Sequence, residues 1–120
     1  MALHSELPIY KVAYDLLMHV ARITRSIPRD FKQSIGGKMR DECVEISVLI
    51  FRANVVRDKA KVPHLTQLIE RLQVAELLLR LARDLQLIAT SQYATAIALT
   101  QSIGKQATKW KQSSAASPVA

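Results

Sequence analysis

Cysteine, glycine and proline are scarce, at 1, 3 and 4 in 120 residues. Few turn-formers disfavour a strand-and-turn architecture. The lone thiol, Cys43, excludes an internal disulfide framework and a cysteine-built zinc site. Long apolar runs are missing too. The most apolar stretch, residues 75–88, is broken by Glu76, Arg80, Arg83, Asp84 and Gln86, whereas a membrane span needs ~20 mostly apolar residues. Residues 1–6 carry no basic segment leading into an apolar one, so no secretory leader is expected and the cytoplasm is the expected compartment. Acid is under-represented: 10 Asp+Glu stand against 17 Lys+Arg, a formal charge of +7, and none follows Asp84. That balance suits an anionic partner, although net charge speaks to association and solubility rather than to fold.

Chemistry-bearing constellations are absent as well. His4, His19 and His64 are far apart and match no ligand spacing. Gly36-Gly37-Lys38 is a poor echo of a phosphate-cradling loop and reads as a helix-start loop. Cys43 reads as a buried small hydrophobe rather than a nucleophile. No catalytic residue, metal or cofactor is expected.

What the chain does have is 49% hydrophobic residues, enough for a core, arranged at helical spacing. Pro8 suits a first helical turn, where its missing N–H costs nothing. Ile9, Val12, Ala13, Leu16, Val20, Ile23 and Ile27 then share one arc, opposite Lys11, Asp15, Arg22 and Arg25. Pro28 ends or kinks this helix. A second is expected from about Ser34 to Arg57, weakened at its start by Gly36-Gly37. Pro63 opens a third that reaches about Ala89. Ser91 is the expected N-cap of a fourth that ends near Lys111. The reading is all-α: one domain over residues 1–112 and a disordered tail over 113–120.

Helices two and three are apolar on two sides. Val44, Val48, Phe51 and Val55 lie opposite the inner arc of the second; Leu77, Leu78, Leu81, Leu85, Val74 and Ile88 lie opposite that of the third. A surface helix of a small monomer shows one stripe. Two such stripes on a short chain therefore point to self-association through these residues. Glu42, Glu76 and Arg83 interrupt the inner arcs, and buried charge persists only when paired. An ion network of Arg83 with Glu42, Glu76 or both is the expected arrangement.

The remaining cations are concentrated. Lys11, Arg22 and Arg25 face outward from helix one, and Arg29 and Lys32 follow it. Arg57, Lys59 and Lys61 fill the connection between helices two and three, and Lys105 and Lys109 share the outer face of helix four. Two readings stay open: phosphate contacts to RNA or DNA, or a solvated face serving solubility. With few aromatics, no stacking platform for bases is legible.

The stretch Leu7-Pro8-Ile9-Tyr10-Lys11-Val12-Ala13-Tyr14-Asp15-Leu16 closely resembles the opening of a family of small four-helix bundle proteins. So do Ser26-Ile27-Pro28-Arg29, Phe51-Arg52-Ala53-Asn54, Pro63-His64-Leu65, Leu78-Leu79-Arg80-Leu81-Ala82-Arg83-Asp84-Leu85, Ser102-Ile103-Gly104-Lys105 and Trp110. The family includes the accessory variability determinant (Avd) proteins of diversity-generating retroelements and the proteins of ribosomal-RNA intervening sequences. The Ser-Ile-Pro-Arg turn and short basic connection look more like the Avd branch. The resemblance implies an antiparallel up-down four-helix bundle in a ring-like homo-oligomer, a pentamer, with a basic outer surface. It implies a non-catalytic protein that binds reverse transcriptase and template RNA. The other branch shares the fold and implies a structural or interaction role with no nucleic-acid partner.

Overall fold

A computed structural model describes residues 3–117, apart from the side chain of His4. Four long helices account for most of the described chain: α1 (Pro8–Thr24), α2 (Gly37–Val55), α3 (Lys61–Asp84) and α4 (Thr90–Ala115). No strand occurs among the described residues. Five-residue connections on either side of α3, and a twelve-residue one between α1 and α2 that is helical over its last eight residues, make sequential helices run antiparallel. Side-chain contacts across each seam agree: His19, late in α1, meets Gln92 at the start of α4, and Lys61 at the start of α3 meets Trp110 late in α4. The result is an up-down-up-down bundle, 52 × 22 × 21 Å. Each helix packs on its two chain neighbours, and α1 closes the square against α4.

The inner arcs supply the core. Leu16, Val20, Met39, Ile46, Ile50, Leu65, Leu68, Leu79 and Ile103 are essentially inaccessible. Glycine pairs cost helix propensity, yet helical structure begins eight residues before Gly37. A short turn (Arg29–Phe31) leads into a π-helical segment (Lys32–Gly36) that continues directly into α2. Tertiary packing overrides propensity here: Gly36 is buried against Thr24 and Ile27, and Ile35 is buried beside it. At the other end α2 stops at Val55, two residues before the expected Arg57.

α3 starts at Lys61, not Pro63, since proline is equally tolerated one turn into a helix's unpaired N–H groups. It ends at Asp84 rather than Ala89. Gln86 adopts φ 61°, while Leu87 N–H donates to the Ala82 carbonyl (2.8 Å) and Gln86 N–H to that of Arg83 (2.9 Å). These bonds form a Schellman cap built without its usual glycine. Leu87 and Ile88 then fold back into the core, so Ile88 does not belong to the outward stripe. The N-cap of α4 is Ala89, not Ser91: the Gln92 side-chain oxygen accepts from the Ala89 N–H at 2.8 Å, leaving Ser91 inside the first turn. The last helix runs to Ala115 with Ser114 buried, so the first three residues of the expected tail are helical. Ala116 and Ser117 turn back on the end of that helix through bonds to the Gln112 and Ser114 carbonyls, and residues 118–120 of the expected tail lie outside the described residues.

Candidate nucleic-acid interface

With α1 rising from the lower end of the bundle, all of the cations named from the sequence except Lys105 fall into two separate groups. Arg22, Arg25, Arg29 and Lys32 lie at the upper end, where α1 finishes and α2 begins. Lys38 and Arg40, in the first turn of α2, join them. Lys11, Arg57, Lys59, Lys61 and Lys109 lie toward the lower end, where α1 starts, α2 passes into α3, and α4 finishes. Lys105 and Arg71 sit at mid-height: Gly104 approaches Leu72 across the α3–α4 seam, and Arg71 stands beside the acids Glu42, Glu45 and Glu70. The charge is therefore bipolar rather than one continuous stripe per subunit.

Except for Lys61, the ten cations named from the sequence are all exposed, and none of the ten appears in an ion pair among the described residues. Acids are present at both ends: Asp30 and Asp84 above, Glu6 and Asp58 below. Asp84 is engaged by Arg83 at 2.9 Å and by Arg80 at 3.9 Å. Lys61 is different in kind. Its Nζ donates to the carbonyls of Ala53 (2.8 Å) and Val56 (2.6 Å) and sits 5.5 Å from the Trp110 ring centroid. Partial burial lowers its pKa, while Asp58 opposes that shift. It caps the negative end of α2, an interaction worth ~0.3–1 kcal/mol. Lys61 is thus a structural residue, not a free phosphate ligand.

The expected Arg83 network does not form. Glu42 accepts from Arg71 at 3.0 Å, Glu76 accepts from the Thr100 hydroxyl at 2.7 Å, and Arg83 pairs with Asp84 while covering Tyr93 at 4.3 Å. The physical reason is position on the wheel. Glu42 lies on the edge of α2 that faces α3, whereas Glu76 and Arg83 lie on the edge of α3 that faces α4. Two helical turns separate the latter pair along the axis, about 10 Å. Both glutamates are half-buried at seams rather than projected into the core.

The outward stripes are uncovered. On α2, Val44, Phe51 and Val55 are each close to half exposed and Val48 is partly so; on α3, Leu77 is 66% exposed, Leu81 and Leu85 more than 40%, and Leu78 is partly covered. The α2 stripe continues into a groove shared with Tyr10 and Leu17 of α1, floored by Ser47, whose hydroxyl is buried without a hydrogen-bond partner. The polar seam of Glu42, Glu45, Glu70 and Arg71 separates the two stripes. They are consequently two distinct patches.

The other side chains carrying possible chemistry are occupied. Cys43 is 1% exposed, and burial, helped by the charge of Glu42, pushes its thiol up to about 12. A thiol held protonated is no nucleophile. The His19 Nε2 lies 2.9 Å from the Gln92 carbonyl, stapling α1 to α4, and His64 lies in the first turns of α3.

One feature had no sequence signal. At the lower end Leu7, Pro8 and Ile9 of α1 and its approach face Gln106 and Trp110 of α4 across an open cleft of about 230 Å³. Its two walls come from opposite ends of the chain, so neither segment reveals the other.

The bAvd-like family matches residues 8–114, and the chain belongs to that family. No curated protein matches the chain.

Proposed function

We propose that this protein is a non-catalytic accessory factor of a diversity-generating retroelement. It is a basic homopentameric scaffold that acts in the cytoplasm, binding reverse transcriptase and template RNA to support mutagenic cDNA synthesis. The observation that carries this reading, within a bAvd-like chain, is the gathering of exposed cations, free of opposing ion pairs, at the two ends of a bundle that leaves two apolar stripes open. Two unlike patches on one subunit support head-to-tail contact, α2 of one copy against α3 of the next, which closes into a ring when the rotation permits. A ring repeats each cationic end in every subunit. Scattered lysines on one chain then become a field dense enough to hold a phosphate backbone.

Phosphate contacts position a strand without reading it, so specificity for one template would come from its fold or from the polymerase. Binding measured across salt concentrations tests the reading. Log K should fall linearly with log[salt], with a slope near −0.7 per single-stranded phosphate neutralised. Lys105→Glu with Lys109→Glu should weaken binding across all sequences and flatten that slope, with the oligomer intact. Retention of the retroelement's reverse transcriptase on the immobilised protein tests the partner. No RNA retention at low salt, or no response to the charge reversal, would leave these lysines as a solvated face and sink the proposal.

A further inference from the structure

At the lower end of the α1–α4 seam, Leu7 and Trp110 pack against the edge of the core yet leave a cleft open beside them. Leu7, Trp110 and Gln106 remain partly accessible and Pro8 is exposed, so apolar surface is left open where a purely structural seam would close it. At about 230 Å³ it falls below the ~300–1,000 Å³ of small-molecule and cofactor pockets. It also lies on a different seam from the α2 stripe, whose groove runs between α1 and α2.

Its walls are an indole, a pyrrolidine ring and the side chains of Leu7 and Ile9, which together offer flat and aliphatic surface. One polar group faces this slot. The Gln106 amide nitrogen donates to Ser102 Oγ at 3.2 Å, which leaves its carbonyl oxygen as an unengaged acceptor. The Lys61 amine, itself fixed on two carbonyls, sits over the indole at 5.5 Å from its centroid. On the solvent side, Lys105 and Lys109 immediately precede Gln106 and Trp110, one turn apart and both exposed; Lys11 stands one turn beyond Leu7. Glu6 is the acid nearest in sequence to Leu7, and α4 carries none.

We infer that this cleft receives an unpaired base of a single-stranded nucleic acid, packed against Trp110, while Lys105, Lys109 and Lys11 hold the flanking phosphates. The inference rests on the nucleic-acid reading above and narrows it. An aromatic wall tolerates any base, since every base has a π-face, and a cationic rim accepts the backbone on either side of it. A duplex keeps its bases stacked and offers nothing to the slot, so it binds through phosphates alone.

Trp110 is the only tryptophan, so its fluorescence reports the cleft in the unmodified protein. Titration with a short oligouridylate should quench and shift that emission in step with binding. Inorganic polyphosphate, which occupies the lysines without a base, should bind and leave the emission unchanged. Trp110→Leu should lower oligouridylate affinity by roughly five- to a hundredfold, the range found when a base loses its aromatic partner. Its polyphosphate affinity should stay at the wild-type value. Trp110→Phe should recover most of the loss. If oligouridylate binds yet the emission of the wild-type protein does not move, or if both ligands perturb it alike, the cleft takes no base and the phosphate reading survives alone. If neither ligand binds, both readings fall. The fluorescence arm needs no variant, so misfolding of Trp110→Leu cannot rescue the idea.

Discussion

Gln86 holds φ 61° in order to close the Schellman cap of α3, a conformation that disfavours any side chain with a Cβ. Gln86→Gly relieves that cost at the expense of a more flexible unfolded chain. The balance should favour the variant by about 0.5–1 kcal/mol and raise Tm by a few degrees. A lower Tm would show that the glutamine side chain contributes something the cap does not explain. Cys43 makes a second residue-scale case. Its pKa rises on folding from 9.0 to about 12, so between those values the native state holds a proton that the unfolded state has released. Its contribution is complete below pH 9.0 and is lost as pH climbs toward 12. Denaturant unfolding should therefore show a steeper alkaline decline for the wild type than for Cys43→Ala. A maleimide at neutral pH should label the native thiol negligibly and the guanidinium-unfolded thiol fully. Rapid native labelling would contradict its burial.

At the scale of elements, hydrophobic spacing resolves which side of a helix faces inward but not which neighbour borders each edge. That is why the four helices and their core arcs were legible in the sequence while the ion pairs were not. Glu42 and Arg83 both flank apolar arcs, yet they look toward different seams, and Glu42 finds Arg71 instead. Arg71 was hidden because it reads as an ordinary surface residue on α3. Helix ends were misread for a related reason: Gln86 and Ala89 carry none of the residue types that mark a cap, and backbone bonds or the side chain of Gln92 supply what the cap residue lacks. The same limit applies to the candidate site. Lysines and arginines are visible one by one, but their division between two ends, the diversion of Lys61 to α2, and the cleft at Trp110 all depend on how distant segments meet. A double-mutant cycle on Glu42 and Arg71 should return a coupling of about 0.5–1 kcal/mol, since the pair is partly solvated and screened. Arg71→Met alone should cost more than Glu42→Gln with Arg71→Met together, because it leaves the less exposed carboxylate unmatched. A coupling near zero would reduce the pair to a passing contact.

For the whole molecule the decisive quantity is mass. The isolated chain already buries its core, and Leu81 remains 41% exposed and Phe51 45%. Substitution there should act on assembly rather than on folding. Light scattering of the wild type should give a multiple of 13.4 kDa, whereas Leu81→Glu should give 13.4 kDa with an unchanged helical spectrum. A wild-type monomer at micromolar concentration would remove the ring, and with it the amplification of charge on which tight RNA binding depends.

The order of the helices carries a kinetic consequence. Three of the four seams join consecutive helices, so each can form across a connection of 12 residues or fewer. The fourth, α1 against α4, joins segments far apart in the chain and bears the largest single loop-closure cost of the fold. That seam should be the last to zip on folding and the first to part in native-state amide exchange, with the lower turn of α1 losing protection before the buried middle of α2 and α3. The cleft beside Trp110 sits on this same line. A strand lodged there would straddle the joint between the chain's first helix and its last, and so would slow its opening: a clamp on the fold as well as a passenger of it.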